Sequence, residues 1–279
     1  MVEVTPSGAP LPSTALVRTR VGLLDALGAA DGIVCLVGAG GKKTLMRRLV
    51  EAHEGRVALT CTGKLVPFEA AVPFRWLALG AGDDGAAVVA AARTERVVAY
   101  CGPSDGRRNL GLPPALVADL HRRCGVDVTF VKADGARMRR LKGRHPSEPP
   151  LVPGVTTVVS LCSIAVVGQP LDERLAHRPE LVAVHAGARL GEPLTEAHLA
   201  RLVRLQAAEL RVKSGARVVP VLNMVDDPAA ARTAETVARL ALAGPGAPEA
   251  VVLTALATDP VEVLRLAPGA QPAPGHHDP

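Results

Sequence analysis

The segment IVCLVGAGGKKTLMRRLV at residues 33–50 decides the fold prediction. An apolar run leads into a glycine-rich turn, which is followed by two lysines, a threonine and an amphipathic stretch. Glycines let the backbone N–H groups of such a turn face inward, and a following helix adds its positive end, so the turn favours an anion. We call residues 38–44 the glycine loop. The pattern predicts a strand, a phosphate-binding loop and a helix, against the plainer alternative of a turn without a ligand.

The glycine loop departs from the P-loop pattern G-x-x-x-x-G-K-[ST] at one position, whichever way the two are aligned. If Gly41 and Lys42 form the G-K pair, Lys43 stands where the hydroxyl is needed. If Lys43 and Thr44 form the K-T pair, Lys42 stands where the glycine is needed. The loop is therefore interpreted as a degenerate Walker A motif. The residues expected to bind the phosphates of GTP or ATP are Gly38, Gly40, Gly41, Lys42, Lys43 and Thr44.

Composition narrows the function classes. The chain has 279 residues, enough for a full α/β core, but only 2% of them are aromatic. Few side chains can stack on bases, which argues against nucleic acid as a partner, while a net charge of +5 suits an anionic small molecule. No apolar run is long enough to span a membrane, and the five cysteines are scattered. We expect a soluble cytoplasmic protein with no membrane partner.

Short apolar runs alternate with segments of helical periodicity along the chain. This alternation predicts a P-loop NTPase-like α/β fold with a mainly parallel sheet and helices on both faces. Strands are expected at 33–37, 56–61, 97–101, 126–132, 155–161, 217–222 and 250–254. Helices are expected at 16–27, 43–53, 85–93, 114–123, 195–213, 228–242 and 260–266. One domain over 13–266 would lie between a mobile segment, 1–12, and a disordered tail, 267–279.

Asp134 follows the apolar run VTFVK, at the strand end where Walker B carboxylates stand. Five basic residues come soon after it, and they either clamp phosphates or an anionic substrate or form a solvated surface. They are Arg137, Arg139, Arg140, Lys142 and Arg144.

Asn223 and Asp226 follow the run RVVPVL with the spacing of the N-K-x-D motif of GTP-binding domains, with Met224 in place of its lysine. An Asp carboxylate in that motif accepts two hydrogen bonds from guanine, which adenine cannot supply. Thr254 follows a later strand, where a short turn closes over the base. The alternative is a pair of ordinary turns with Asn and Asp as caps.

The segment GQPLDERLAHRPE at 168–180 combines an acid–base candidate, His177, with charged neighbours. These neighbours are Asp172, Arg178 and Glu180. Such a cluster either lines a site or forms a structural corner.

In this order the motifs resemble those of the YqeC family, accessory proteins for selenium-dependent molybdenum hydroxylases or for selenium-cofactor biosynthesis. The resemblance covers residues 15–260 and is strongest at the A-D-G-x-R…L-K segment and at H-R-P-E, 177–180. The family loop usually reads G-x-G-G-K-T-[ST], which puts Gly41 and Lys42 in the G-K position. Three residues depart from the family pattern: Lys43, Lys132 in place of Glu, and Met224 in place of Lys.

The resemblance implies a nucleotide-dependent accessory protein that uses GTP or ATP with Mg²⁺ and works with a molybdenum hydroxylase or its cofactor. Thr44 or Thr62, together with Asp134, would hold Mg²⁺. Asn223, Asp226 and Thr254 would contact the base. Asp134, His177 and Arg178 are the catalytic candidates. The substrate-binding candidates are Arg137, Lys142, Asp172 and Glu180.

The added cations change the expected chemistry. Positive charge tightens phosphate binding but repels Mg²⁺, on which phosphoryl transfer depends, so we expect binding to survive better than hydrolysis. Whether the chain is a nucleoside triphosphatase stays open. The alternative is a non-hydrolysing chaperone that binds a phosphorylated cofactor such as molybdopterin through the glycine loop and residues 137–144. A third hypothesis makes Cys61 or Cys101 carry selenium as a perselenide, against the plain reading of buried thiols.

Overall fold

A computed structural model describes residues 16–259 and 261–269. The strands are β1 (Leu16–Arg20), β2 (Gly32–Gly38), β3 (Val57–Cys61), β4 (Trp76–Ala78), β5 (Val97–Cys101), β6 (Val128–Lys132), β7 (Leu141–Lys142), β8 (Thr157–Ser163), β9 (Ala176–His177), β10 (Arg217–Asn223), β11 (Val251–Ala255) and β12 (Glu262–Pro268). The α-helices are α1 (Leu23–Leu27), α2 (Lys42–Ala52), α3 (Ala86–Ala91), α4 (Pro114–Cys124), α5 (Pro179–Ala186), α6 (Glu196–Ser214) and α7 (Pro228–Ala241).

Ten of the strands form one sheet, in the order β1-β12-β11-β10-β8-β2-β6-β3-β5-β4. Neighbours from β4 through to β11 are parallel, and β12 and β1 are antiparallel. After β2 the chain continues to β3 on one side of the sheet, whereas after β8 it continues to β10 on the other. The carboxyl ends of β6, β2 and β8 therefore meet at a topological switch point, where open α/β sheets bind their ligands.

Helices cover both faces of this sheet. Val34 and Leu36 of β2 pack in one hydrophobic cluster with α1 and α2. Ile33, Cys35 and Val37 point to the opposite face and pack in a cluster with α3, α4 and α6. Because both faces are buried, the strand reads as a continuous apolar run rather than an alternating one. The predicted α/β class, with a mainly parallel sheet between two helical layers, is confirmed.

Two predicted helices are wrong. Residues 16–20 and 262–268 form β1 and β12, which pair with each other, and β12 also pairs with β11. The residues predicted as a helix over 16–27 are helical only in α1. Val17, Thr19 and Val263 are β-branched residues, which favour extended backbone. The edge of β11 offers β12 a row of backbone hydrogen-bond partners, and β12 offers the same to β1. A short helix in either place would form fewer hydrogen bonds.

The segment 133–153, for which no strand or helix was predicted, contains a short strand. β7 pairs in parallel with β9, and Lys142 lies opposite His177. Helix α5 begins directly after β9, at Pro179. Two-residue strands carry no periodic signal, so the sequence does not predict this pairing. It brings the basic segment after Asp134 next to the 168–180 segment.

Some predictions concern the ends of the chain. The predicted mobile segment 1–12 lies outside the described residues, and so does most of the predicted tail 267–279. β12 extends to Pro268, two residues beyond the predicted domain boundary at 266. Among the helices of the described ranges, none combines the length and the hydrophobicity needed to span a bilayer.

Candidate functional site

The glycine loop joins β2 to α2 in a conformation that requires its glycines. Gly38, Gly40 and Gly41 have φ angles of +88°, +81° and +129°. A Cβ atom on Gly38 would collide with the carbonyl oxygen of Leu161, and one on Gly40 would lie 2.8 Å from the Cβ of Ser163. Side chains at these positions would be strained and would also meet β8. The backbone of the loop is thus packed tightly against its neighbouring strand.

The N–H groups of the loop divide into two sets. The Gly38 N–H donates to Oδ2 of Asp134 at 3.0 Å, and the Ala39 N–H donates to the Leu161 carbonyl at 3.0 Å. The backbone N–H groups of residues 40–44 have no acceptor within the described ranges. They precede and open an 11-residue helix whose N-cap, Gly41, has no capping side chain. Free N–H groups at a helix N-terminus form a site for an anion.

Asp134 lies at the centre of the charged groups beside this loop. It follows β6, is only 3% exposed, and places Oδ1 and Oδ2 each 3.0 Å from an ammonium group, of Lys42 and Lys142 respectively. Lys42 also donates to the carbonyl of Gly38. Burial alone would raise the pKa of Asp134, but the two ammonium groups and the Gly38 amide outweigh burial and lower it. Asp134 is therefore an ionised carboxylate held between two cations.

The ion pairs continue from Asp134 to helix α5. Nζ of Lys142 also lies 3.1 Å from Oε2 of Glu148, and Glu148 accepts two hydrogen bonds from Arg178, at 2.6 and 3.1 Å. Burial would raise the pKa of Glu148, but Arg178 and Lys142 together hold that pKa at about 2. We call the sequence Lys42, Asp134, Lys142, Glu148 and Arg178 the ion-pair chain. It connects the glycine loop, the 133–153 segment and the start of α5.

Two further cations are buried near the ion-pair chain. Arg144 donates to Oγ of Ser160 at 2.7 Å and to the side chain of Gln206 at 2.9 Å. Nζ of Lys132 donates to the carbonyl of Lys64 at 2.6 Å, and burial together with nearby Lys42 lowers its pKa to about 8. With the ion-pair chain, this makes five cations and two carboxylates in the cluster. The excess of buried positive charge favours an anion at this edge of the sheet.

Asn223 holds the glycine loop from the other side. Its amide Nδ2 donates to the Gly40 carbonyl at 2.8 Å, and its Oδ1 accepts from Thr254 Oγ1 at 3.0 Å and from the Leu256 N–H at 3.3 Å. The side chain is buried, so its contacts are with the protein. Asp226 is exposed and lines, with Thr254, a cleft of about 660 Å³. The three base-contact candidates therefore lie close together, but only Asp226 and Thr254 line open space.

The three predicted magnesium ligands differ in whether their oxygens already have a partner within the protein. Thr44 is half-buried, and its hydroxyl has no hydrogen bond to another described residue. The Thr62 hydroxyl donates to the Pro150 carbonyl at 2.8 Å, and both oxygens of Asp134 face ammonium groups. In the described ranges, no three His, Cys, Asp or Glu side chains are grouped so that they could hold a metal ion. Asp134 does not fit a preformed Mg²⁺ site, and Mg²⁺ binding stays a prediction.

His177 and Arg137 meet Asp134 in a second cleft, of about 410 Å³, which we call the Asp134 cleft. Glu180 and Arg178 line a neighbouring cleft of about 310 Å³ with the same His177 and Arg137. The remaining lining residues of the Asp134 cleft are Gly63, Lys64, Arg108, Ala133, Gly135, Glu148 and Pro150.

Not all of the predicted substrate-binding residues face these clefts. Oδ1 of Asp172 accepts from the N–H groups of Arg174 and Leu175 at 2.8 and 2.9 Å, and so closes a turn. Lys142 is buried within the ion-pair chain, whereas Arg139 and Arg140 are exposed. Part of the basic segment is therefore a solvated surface, and part of it is built into the charged cluster. Each of the two alternatives holds for some of its residues.

Glu148 was not predicted as a site residue. A signal for it does exist, because Glu148 is the one acidic residue between Asp134 and Asp172, a stretch that contains five basic residues. A buried cation needs a counter-charge, which makes the single carboxylate in that stretch a candidate partner. Arg108 was missed too, and nothing in its local sequence distinguishes it from its neighbour Arg107.

The two cysteines of the selenium hypothesis lie in a separate buried cluster. Cys61 and Cys101 pack together with Leu65, and Cys101 accepts a hydrogen bond from the amide of Asn109 at 2.7 Å. Burial raises the pKa of Cys61 to about 12 and raises that of Cys101 as well. A thiolate is the reactive form of cysteine, so both environments disfavour chemistry at sulfur.

Comparison with known proteins places the chain in a family. The family model described as YqeC protein matches residues 34–180, which is more than half of the chain. This range contains the glycine loop, the whole ion-pair chain and the H-R-P-E segment, and it ends before β10. No curated protein matches the chain. The matched range is the one that holds the charged cluster, and the chain belongs to the YqeC protein family.

Proposed function

We propose that this protein binds the phosphates of a purine nucleoside triphosphate on the glycine loop and acts in the maturation of a selenium-dependent molybdenum hydroxylase. The observation that carries the first part is the row of N–H groups at residues 40–44 without an acceptor in the described ranges, next to the buried ammonium group of Lys42. Membership of the YqeC family supports the second part.

The loop and its lysine suit phosphate in a specific way. Phosphate oxygens accept hydrogen bonds from the free N–H groups, and Lys42 already contacts the loop through the Gly38 carbonyl. When Lys42 turns towards a phosphate, Asp134 still keeps Lys142 at 3.0 Å and the Gly38 N–H at 3.0 Å. The carboxylate is not left unpaired, so moving Lys42 avoids the cost of an uncompensated buried charge.

The cleft lined by Asp226 and Thr254 is the proposed position of the base. An exposed carboxylate there accepts two hydrogen bonds from the guanine edge, which favours GTP over ATP. Asn223 contributes indirectly, because its hydrogen bond to Gly40 ties the loop to β10 at the end nearest Asp226.

The charges beside the loop favour binding over turnover. Both oxygens of Asp134 are paired with ammonium groups, and the predicted hydroxyl position holds Lys43. This observation also supports the second candidate function, a chaperone that holds an anionic phosphorylated cofactor such as molybdopterin and delivers it to the hydroxylase. In that case the five cations of the cluster, four of them buried, serve to retain the cargo.

Isothermal titration calorimetry with GTP and with ATP, each with and without Mg²⁺, tests the binding proposal. We expect Lys42→Met to weaken GTP binding by about tenfold or more, because a charge-assisted contact to phosphate is lost. Lys43→Met is the matched control, since Lys43 is half-buried and has no ion pair in the described ranges. Absence of binding by either nucleotide at millimolar concentration would overturn the proposal.

Phosphate release separates the two candidate functions. Turnover of GTP that Lys42→Met abolishes supports an enzyme. Tight binding without turnover, in the presence of Mg²⁺, supports the chaperone. Calorimetry of Asp226→Asn with GTP and with ATP tests the position of the base, because loss of the carboxylate removes the preference for GTP over ATP.

A further inference from the structure

We infer that the Asp134 cleft is a second anion-binding site, distinct from the glycine loop, for a small molecule that carries a phosphate or carboxylate group. The inference goes beyond nucleotide binding and does not depend on it. Its basis is the shape of the cleft and the two arginines that line it without an ion pair to any described residue.

The cleft is built from turns that follow three parallel strands. Lys64 follows β3, Arg108 follows β5, and Asp134 follows β6. Leu65 and Asn109 exchange two backbone hydrogen bonds, at 2.7 and 2.9 Å, which fix the first two turns to each other. A side chain at Gly111 would collide with the backbone of Thr62, so the two segments lie in close contact. The wall that carries Lys64 and Arg108 is therefore fixed by contacts between the backbones of the two turns.

The charge of the cleft is positive once its internal pairs are accounted for. The carboxylate of Asp134 is paired with Lys42 and Lys142, and that of Glu148 with Lys142 and Arg178. Lys64 pairs with Asp105 at 2.9 Å. The guanidinium groups of Arg108 and Arg137 have neither an ion pair nor a hydrogen bond within the described ranges. Two free guanidinium groups in one cleft suit phosphate or carboxylate oxygens.

His177 supplies a polar group that the protein leaves unsatisfied. Its Nδ1 is buried and has no hydrogen-bond partner in the described ranges. Burial, together with Arg178, Lys142 and Arg137, lowers the pKa of His177, so the ring is neutral near pH 7. The next residue, Arg178, has a left-handed φ of +61° and is held by Glu148. His177 thus lines the cleft with a neutral ring beside a fixed backbone, and its ring signals can report an anion bound there.

The volume and lining define the ligand class. A cleft of about 410 Å³ accepts a small molecule rather than a macromolecule. Six of its ten lining residues have charged or titratable side chains, so the ligand is held by its oxygens. Asp134 borders the cleft and also accepts the Gly38 N–H of the glycine loop, so the second site adjoins the first.

Histidine ring signals in NMR spectra of the full chain test this inference. The probes are inorganic phosphate and acetate, and the ring nitrogens of His177 are assigned from the signal that His177→Gln removes. We expect saturable shifts of that signal with at least one probe, and the stronger probe identifies the anionic group. The shifts should persist in Lys42→Met, which keeps the Asp134 cleft but impairs the glycine loop.

The double variant Arg108→Ala, Arg137→Ala should weaken the probe's affinity by about tenfold or more, because two charged contacts are lost. Arg107→Ala is the matched control, since it removes the same charge from the same turn but does not line the Asp134 cleft. Binding of GTP is measured on the same samples and should be unchanged in the double variant. The probe affinities therefore test the second site, and the GTP affinities test the nucleotide proposal, so either proposal can fail without the other.

Two results would overturn the inference. The first is the absence of a saturable His177 shift with either probe at tens of millimolar. The second is a shift that survives in the double variant but disappears in Lys42→Met, since that would place the anion on the glycine loop. Arg108 and Arg137 are exposed, so the double variant is expected to fold, and circular dichroism checks this.

Discussion

At the scale of single residues, Asp134 determines how the charges of the site are arranged. One buried carboxylate neutralises two ammonium groups and receives a loop N–H, all at 3.0 Å. Removing one partner of a buried pair costs more than the pair contributes, because the remaining charge is left without compensation. The consequences of substitution therefore differ sharply between the members of the cluster.

Asp134→Asn should lower the free energy of unfolding by about 3–5 kcal/mol, since Lys42 is then buried without a counter-charge and Lys142 keeps only Glu148. Lys42→Met should cost clearly less, because Asp134 keeps Lys142. Urea unfolding of both variants at pH 7 measures the difference. Equal losses for the two variants would show that the carboxylate is not the shared partner.

Lys132→Met should raise the free energy of unfolding at pH 7 by about 1–2 kcal/mol. This gain is the cost of burying the ammonium group minus the contribution of its hydrogen bond to the Lys64 carbonyl. The pKa of Lys132 is about 8 in the folded protein, against a usual 10.5. The penalty is fully present below pH 8 and disappears as the pH rises towards 10.5, because the amine is then neutral in both states. The stabilisation by Lys132→Met should fade over the same range.

Lys64→Met is the control for this pH series, since the Lys64 ammonium is exposed. Urea unfolding at several pH values should give a small and constant effect for it. A gain for Lys132→Met that is independent of pH would contradict the assignment of the effect to the buried charge.

At the scale of elements, the glycine loop depends on the strands beside it. β8 packs against Gly38 and Gly40, and Asn223, at the end of β10, accepts and donates the hydrogen bonds that fix Gly40 to β11. The loop is thus held in its conformation by two neighbouring strands.

Asn223→Ala should weaken GTP binding by about tenfold, because the hydrogen bond to Gly40 is lost and the loop must be ordered on binding. Thr254→Val removes only the hydroxyl that donates to Asn223, so its effect should be smaller. Calorimetry gives both affinities. A larger effect for Thr254→Val would show that contact with the base, rather than support of the loop, dominates.

The strands around the glycine loop were predictable and the edges were not. Buried parallel strands such as β2, β6 and β10 read as apolar runs, and all seven predicted strands are present. β1 and β12 are partly exposed and antiparallel, so their sequences lack the continuous apolar run of the buried strands. Their structure follows from pairing with each other, which no local pattern encodes.

The site was predictable only where it follows strand ends. Lys42 and Asp134 were placed together because parallel strands end at one edge of the sheet. The contact between the 133–153 segment and the H-R-P-E segment depends on the two-residue pair β7 and β9, which has no sequence signal. Glu148 joins the cluster through that contact, so its role emerges only in three dimensions.

At the scale of the whole molecule, the ion-pair chain connects segments that are far apart in sequence. Glu148 joins Lys142 to Arg178, and so links the segment after β6 to the first turn of α5. Its pKa of about 2 shows that this link holds a charged carboxylate through most of the acid range.

Glu148→Gln should lower the free energy of unfolding by about 1–2 kcal/mol at pH 7, a value reduced for solvent screening because the side chain is partly exposed. The folded-state pKa lies below the usual 4.5, so the stabilisation is present above pH 4.5 and is lost as the pH falls towards 2. The difference between wild type and variant should shrink over that range. Glu54→Gln, at an exposed position, is the control in the same urea series.

One feature of the site, the Asp134 carboxylate that contacts the glycine loop and lines the Asp134 cleft, would link the two proposed ligands thermodynamically. A phosphate that draws Lys42 away from Asp134 leaves the cleft more negative, and an anion in the cleft holds Lys42 more firmly in place. Antagonism of this kind is reciprocal, so each ligand weakens the other by the same factor. With both proposed sites in use, one anion would displace the other, which is the behaviour that the proposed chaperone needs in order to release its cargo.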